Sequence, residues 1–126
     1  MRSVLDTSVV LATDIEPLPG ELAISAATLA ELHFGVLVTP DQAVRAERLR
    51  RLSVIQSRFQ ALPVDDAVAA SYGRLASAVV ATGRTVRART MDLLIAATAH
   101  AHGARLVTRN AADLVGVEDL LEIVPV

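Results

Sequence analysis

The chain has 126 residues, no cysteine and a formal net charge of -2, which excludes two independent cores, disulfides, thiolate metal sites and thiol nucleophiles. Hydrophobic residues make up 52% and aromatics only 2% at a mean hydropathy of +0.45, so the core is built from Ala, Val, Leu and Ile, and base stacking on aromatic platforms is disfavoured. The longest stretch without Asp, Glu, Lys or Arg, Leu93 to Ala104, falls far below the roughly 18 to 20 apolar residues of a membrane span, and Asp6 interrupts the first apolar run too early for a secretory leader.

One soluble, cytoplasmic domain over residues 1–126 is therefore expected. Ser3-Val4-Leu5 reads as a buried strand that runs into the polar turn Asp6-Thr7-Ser8 and then a helix over Val9-Val10-Leu11-Ala12. Pro17, Pro19 and Gly20 end that helix, and Leu22-Ala23-Ile24 reads as a second buried strand. A helix starts near Thr28, with Leu29, Leu32 and Val36 at helical spacing up to Pro40, and Asp41 caps the next. From Val44 to Phe59 the apolar positions Val44, Leu52, Ile55 and Phe59 lie on one side of a helix whose Arg45, Arg48, Arg51 and Arg58 lie mostly elsewhere.

After Pro63, Asp65 and Asp66 open a helix with Val68, Tyr72, Leu75 and Val79 on one face, ended by Gly83. The polar, Arg-rich stretch Thr82 to Thr90 leads into an apolar helix that begins around Met91-Asp92 and stops at Gly103. Leu106-Val107 forms a strand, Asn110 to Leu114 a helical turn, and Leu121 to Val124 a last strand. Strands alternating with helices imply a three-layer α/β/α sandwich with a mostly parallel central sheet. Ligands in such sheets sit at the carboxyl ends of the strands, where this order puts Asp6 and the segment Thr108-Arg109-Asn110.

Four acids stand beside long apolar runs, and each has a bland explanation. Asp6 can be an Asx turn or helix cap, and Glu31 follows Thr28 at capping-box spacing. Asp92 sits in a first helical turn, where the macrodipole favours an acid, and Asp113 follows Asn110 by a capping interval. Together, however, they are acids at the starts of separate helices on one sheet edge. Carboxylates gathered so closely repel one another unless a cation lies between them, and Mg²⁺ or Mn²⁺ is the hard, oxygen-seeking cation that suits. A water whose pKa such a cation lowers can attack a phosphodiester.

Val4-Leu5-Asp6-Thr7-Ser8, Ala30-Glu31-Leu32-His33-Phe34-Gly35, Met91-Asp92-Leu93-Leu94-Ile95-Ala96-Ala97 and Leu106-Val107-Thr108-Arg109-Asn110 through Asp113, in this order and over nearly the whole chain, resemble the PIN-domain ribonucleases, specifically the VapC toxins of type II toxin-antitoxin pairs. The resemblance implies a PIN-like fold in which the acids matching Asp6, Glu31, Asp92 and Asp113 bind one or two divalent cations, Mg²⁺ or Mn²⁺. It makes Asp6 and Asp92 the main ligands, has Glu31 bind through water or orient the attacking water, and has Asp113, or Asn110 in its place, complete the site. It further implies RNA hydrolysis to 5′-phosphate and 3′-hydroxyl ends, tRNA or rRNA as substrate, an antitoxin of VapB type and a homodimer.

Arg87, Arg89, Arg109 and Thr108 are the candidates for holding RNA phosphates. All twelve basic residues are Arg; bidentate phosphate binding and codon bias explain this equally well. Helices Glu31 to Thr39 and Val44 to Phe59 offer apolar residues for a protein-binding groove or simply for the core. His33, His100 and His102 are read as surface or interface residues, and Tyr72 as core. Two rivals remain: a receiver-like or phosphatase-like Asp-Mg²⁺ domain, disfavoured by the absence of Lys, and a PIN-like RNA- or protein-binding module without turnover, disfavoured by four intact acids.

Overall fold

The computed structural model describes residues 1–126. Five strands, β1 (Arg2–Leu5), β2 (Glu21–Ser25), β3 (Gln60–Leu62), β4 (Arg105–Thr108) and β5 (Ile123–Pro125), form one sheet in the order β3-β2-β1-β4-β5. Every pairing is parallel, so the sheet is wholly rather than mostly parallel. Between the strands run α1 (Thr7–Val10), α2 (Ala26–Val38), α3 (Gln42–Arg58), α4 (Asp66–Ala81) and α5 (Thr90–Ala101), with single 3₁₀ turns at Arg87–Arg89 and Ala111–Leu114.

The period-two alternation of side chains divides each strand between two faces. Val4, Ala23 and Leu106 enter one apolar cluster with Val68, Leu75 and Val79 of α4 and Leu93, Ile95 and Ala97 of α5. Leu5, Ile24 and Val107, one residue on, enter the other with Val9 of α1 and Ile55 of α3. Helices thus cover both faces, and the three-layer sandwich holds. Residues 95–99 of α5 are all buried; its apolar character on every side follows from lying between α4 and the sheet.

Some element boundaries differ from expectation for local reasons. Helix α2 starts at Ala26, not near Thr28, because Ser25 is its cap: the Ser25 hydroxyl accepts from the Ala27 amide at 3.1 Å. Helix α1 takes in Thr7 and Ser8 and stops at Val10. The last strand starts at Ile123, two residues late, since Leu121 is buried in the preceding turn. Strand β3 was not expected: Gln60 and Ala61 are exposed and only Leu62 is buried, a three-residue edge with no readable alternation. Asp41 and Asp65 cap α3 and α4 by accepting from the Val44 and Val68 amides. In α3, Leu52 and Ile55 are buried as expected but Val44 is exposed.

Three arginines of α3 turn back on the C-termini of neighbouring helices. Arg45 donates to the Leu37 and Thr39 carbonyls, Arg48 to the Gly35 carbonyl, and Arg51 to the Leu11 carbonyl. The last carbonyls of a helix have no partner of their own and carry partial negative charge. The basic side of this helix is therefore committed in large part to closing α1 and α2.

Ser25 is completely buried and its hydroxyl also pairs with Thr98 of α5 at 2.8 Å, joining the start of α2 to the central helix. Ser25→Ala removes a cap and a buried hydrogen bond together, and is expected to lower the unfolding free energy by about 1–3 kcal/mol. Urea denaturation checks it; an unchanged midpoint contradicts the double role.

Candidate metal centre and its surroundings

Strand β1 lies in the middle of the sheet, and its chain leaves the carboxyl edge at Asp6, whose amide donates to the Val107 carbonyl at 2.9 Å. Asp6 stands at the cap position of α1 but makes no side-chain cap bond. Its Oδ2 instead accepts from the hydroxyls of Ser8 at 2.7 Å and Thr108 at 2.9 Å. Those two donors hold the carboxylate from both sides and leave Oδ1 available. Only 7% of Asp6 is exposed, and a carboxylate buried to that extent needs such donors.

Glu31 is not part of a capping box either. Thr28 lies inside α2, fully buried, and the Glu31 Oε1 atom accepts from the Thr7 hydroxyl at 2.7 Å, with Thr28 Oγ1 3.0 Å from the same hydroxyl. Asp113 likewise receives no cap bond from Asn110, whose side chain caps nothing. Arg89 approaches it instead, 3.2 Å from Oδ1, and donates to the Asp113 carbonyl at 2.7 Å. Asp92 occupies the first turn of α5 as expected.

Asp6, Asp92 and Asp113 line one small cleft with Thr108, Asn110, Leu106 and Leu114. Its volume is about 10 Å³, room for about one water-sized group. Glu31 faces an adjoining cavity of about 400 Å³ between α1, α2 and α3, shared with Thr7, Leu32, Arg48 and Arg51. The Asp92 carboxyl is pushed above its ordinary range by burial first, then by the negative charges of Asp6, Glu31 and Asp113, with Arg89 pulling the other way. All four acids therefore act on one point electrostatically.

A hard divalent cation fits this donor set by chemistry. Every donor is an oxygen, the cleft is ion-sized, and burial followed by the neighbouring carboxylates raises Asp92. No three of the Asp, Glu and His side chains gather tightly enough to form a closed ligand cage. Such an open arrangement matches a cation that retains waters between itself and some carboxylates, as Mg²⁺ does. Asn110 also lines the cleft, so it and Asp113 share that wall.

The expected phosphate-binding residues divide. Arg109 is engaged with Asp14 through two bonds, at 2.7 and 3.1 Å, and the Asp14 carboxyl is lowered by that partner. Arg89 is held by Asp113, whereas Arg87 is exposed and makes no ion pair. Thr108 is buried, positioned on Asp6 rather than open to a ligand, and its Oγ1 also accepts from the Asn110 amide at 2.9 Å. In the sequence Thr7 and Ser8 are simply members of the polar turn after β1. The structure makes Ser8 the Asp6 partner and Thr7 the Glu31 partner. None of the three His lines the cleft: His33 is exposed, and His100 bonds to Ser71 at 2.8 Å on the far side of α5.

Comparison with known proteins shows the family and the fold. The family model described as "PIN domain" matches residues 3–114. Ribonuclease VapC5 of Mycobacterium tuberculosis (strain ATCC 25618 / H37Rv) is 38% identical over 113 residues, covering 85% of this chain and 82% of that protein. A crystal structure of VapBC-5 from the same species, a member of the VapBC family of toxin-antitoxin systems, superposes with a TM-score of 0.85 at 38% identity, over 99% of this chain and 98% of that one. VapBC2 from Rickettsia felis, bound to a DNA fragment from their promoter, gives 0.77 at 25% identity, over 98% and 97%.

The raised Asp92 carboxyl has a stability consequence. A carboxyl whose folded-state pKa lies above its unfolded value near 3.8 stabilises the fold when protonated, and that contribution disappears as pH rises through the folded pKa. At pH 7 without divalent cations, Asp92→Asn is expected to raise Tm by a few degrees, with the gain shrinking toward pH 4. Millimolar Mg²⁺ or Mn²⁺ is expected to raise the wild-type Tm more than the variant's. Differential scanning fluorimetry at both pH values checks both signs; a variant less stable than wild type at pH 7 in EDTA overturns the repulsion argument.

Proposed function

The chain belongs to the PIN-domain family and to its VapC group, and from that premise we propose that it is the toxin of a type II toxin-antitoxin pair, a divalent-metal-dependent endoribonuclease acting as one domain over residues 1–126. The observation that carries this reading is the ion-sized cleft walled by Asp6, Asp92 and Asp113, with Glu31 beside it and Asp92 raised by the other three. The family result sets the receiver-like alternative aside. The names of the relatives support the reaction: the matched protein of M. tuberculosis is called a ribonuclease.

Asp6, Glu31, Asp92 and Asp113 would hold Mg²⁺ or Mn²⁺, which when bound supplies charge neutralisation and a water acidic enough to act as nucleophile near neutral pH. The chain's own groups do the rest. Ser8 and Thr108 fix the Asp6 carboxylate, and Thr7 fixes Glu31, so neither acid must reorganise as substrate enters. Arg89 offsets part of the negative charge at Asp113, and Arg87 and Arg109 would take RNA phosphates. Attack by water breaks the P–O3′ bond, its oxygen stays on phosphorus, and a proton passes to O3′. The ends are a 5′-phosphate and a 3′-hydroxyl.

Partners follow from the surface. Phe34, Leu37 and Val38 of α2 are 67%, 71% and 55% exposed, a run of apolar side chains that a VapB-type antitoxin or the second subunit of a homodimer would cover. The superposed VapBC-5 is itself a member of the VapBC family of toxin-antitoxin systems. No helix is long and apolar enough to cross a membrane, which is compatible with work on cytoplasmic tRNA or rRNA.

The test incubates the purified chain, free of antitoxin, with tRNA and rRNA in Mg²⁺, Mn²⁺ or EDTA, alongside Asp92→Asn, and sequences the ends. Discrete cuts bearing 5′-phosphates, absent in EDTA and in the variant, are expected. Metal binding shown by calorimetry together with intact RNA under every condition would overturn the nuclease and leave a binding module.

A further inference from the structure

Beside the acidic cleft lies the larger cavity that the four-acid reading leaves unused. Its walls are Leu11, Leu32, Leu52 and Ile55 on the apolar side, Thr7 and Glu31 toward the cleft, Gly35 on α2, and Arg48 and Arg51 on α3. At about 400 Å³ it has ample room for a flat heterocycle. Each guanidinium is anchored to a helix-terminal carbonyl, Arg48 on Gly35 at 2.7 Å and Arg51 on Leu11. A guanidinium has five donors in a rigid fork, so each keeps others for a ligand without having to be ordered again on binding.

We propose that this cavity is a base subsite: it receives the unstacked base of one nucleotide next to the scissile phosphate, and so sets the base preference at the cut. The inference rests on the nuclease reading for the identity of the substrate, and it deepens that reading by naming the recognised group. Three observations support an RNA nucleotide. The cavity shares Glu31 and Thr7 with the reactive edge, so its occupant is a close neighbour of the reacting phosphate. Two fixed cations in its wall complement a phosphodiester that four carboxylates would otherwise repel. An apolar floor with guanidinium planes alongside is the environment in which splayed single-strand bases are held when aromatic side chains are scarce.

Gly35 supplies the test. A Cβ built there meets nothing within 4 Å, and it lies inside α2, where any ordinary residue is a better helix former than Gly. Gly35→Leu therefore fills the cavity while preserving the helix and the Arg48 anchor, which uses the backbone carbonyl. Gly73 of α4 is equally open, exposed and outside the cavity, so Gly73→Leu controls for the helix effect. Circular dichroism and Tm establish that both fold.

Cleavage is measured on short RNAs randomised at the positions flanking the cut. Wild type and Gly73→Leu are expected to favour one base at one flanking position, and Gly35→Leu is expected to lose about ten- to a hundredfold of that kcat/KM ratio, chiefly through KM. Binding is measured separately by fluorescence anisotropy with the same RNAs in an Asp92→Asn background, where hydrolysis is absent, with and without Gly35→Leu. A base preference in Kd that disappears with Gly35→Leu upholds the subsite even if no RNA is cut, in which case the nuclease reading alone falls. Cutting with the same preference in Gly35→Leu as in wild type, or no base preference in either assay, overturns the subsite. Loss only of antitoxin-peptide binding in Gly35→Leu, with RNA preference intact, would assign the cavity to protein instead.

Discussion

The gathering of four carboxylates at one sheet edge, with Asp92 raised first by burial and then by the other three, is the constraint around which the rest of this molecule is arranged. Two of them are held in place by specific donors: Asp6 by Ser8 and Thr108, Glu31 by Thr7. A third, Asp113, is met by Arg89. Asp92 receives no such compensation sufficient to restore its ordinary acidity. The sheet enforces the gathering. Because β1 is central and both neighbours run parallel to it, the exits of β1 and β4 and the first turns of α2 and α5 share one edge. Opposite charges at separate helix starts would be unremarkable; like charges gathered at one edge add to the effect of burial in raising the Asp92 carboxyl.

The sequence was most informative where charge interrupts apolar periodicity. Asp6 directly after Val4-Leu5 and Asp92 directly before Leu93-Leu94-Ile95 mark the edge because burial patterns fix the strand and the helix on either side. Each acid nonetheless carried a helix-start explanation, a cap or, for Asp92, the macrodipole, and local spacing alone had no means of deciding between helix start and cluster. The deciding facts are contacts across long separations: Thr108 to Asp6 and Thr7 to Glu31 join segments that only the fold brings together. Strand β3 was illegible for the same reason. Gln60-Ala61-Leu62 has no pattern of its own and is a strand only because β2 offers an unpaired edge.

Basic residues show the converse error. Counting Arg on α3 suggested a charged face, yet Arg45, Arg48 and Arg51 serve helix-terminal carbonyls of α1 and α2. A guanidinium on a helix terminus satisfies backbone acceptors that a sequence does not display. This structural use does not exhaust the group. The same anchoring that closes the helices holds Arg48 and Arg51 rigidly in the wall of the cavity beside Glu31, so the cost of ordering two long side chains is met in folding rather than on binding.

The arginines nearest the cleft differ in how freely they can exchange partners. Arg109 and Asp14 form a bidentate pair at 40% and 65% side-chain exposure, and solvent screens exposed pairs of this kind so that they add little to stability. On the proposed nuclease reading, a phosphodiester at the edge would displace Asp14 with little loss, because the displaced carboxylate stays hydrated. Arg89 is more buried, at 25%, and is tied to both the carboxylate and the carbonyl of Asp113. Moving it would remove the one nearby cation that opposes the raised Asp92. Arg89 thus belongs to the architecture of the acidic cleft, while the exposed Arg109 and the unpaired Arg87 are free to exchange partners.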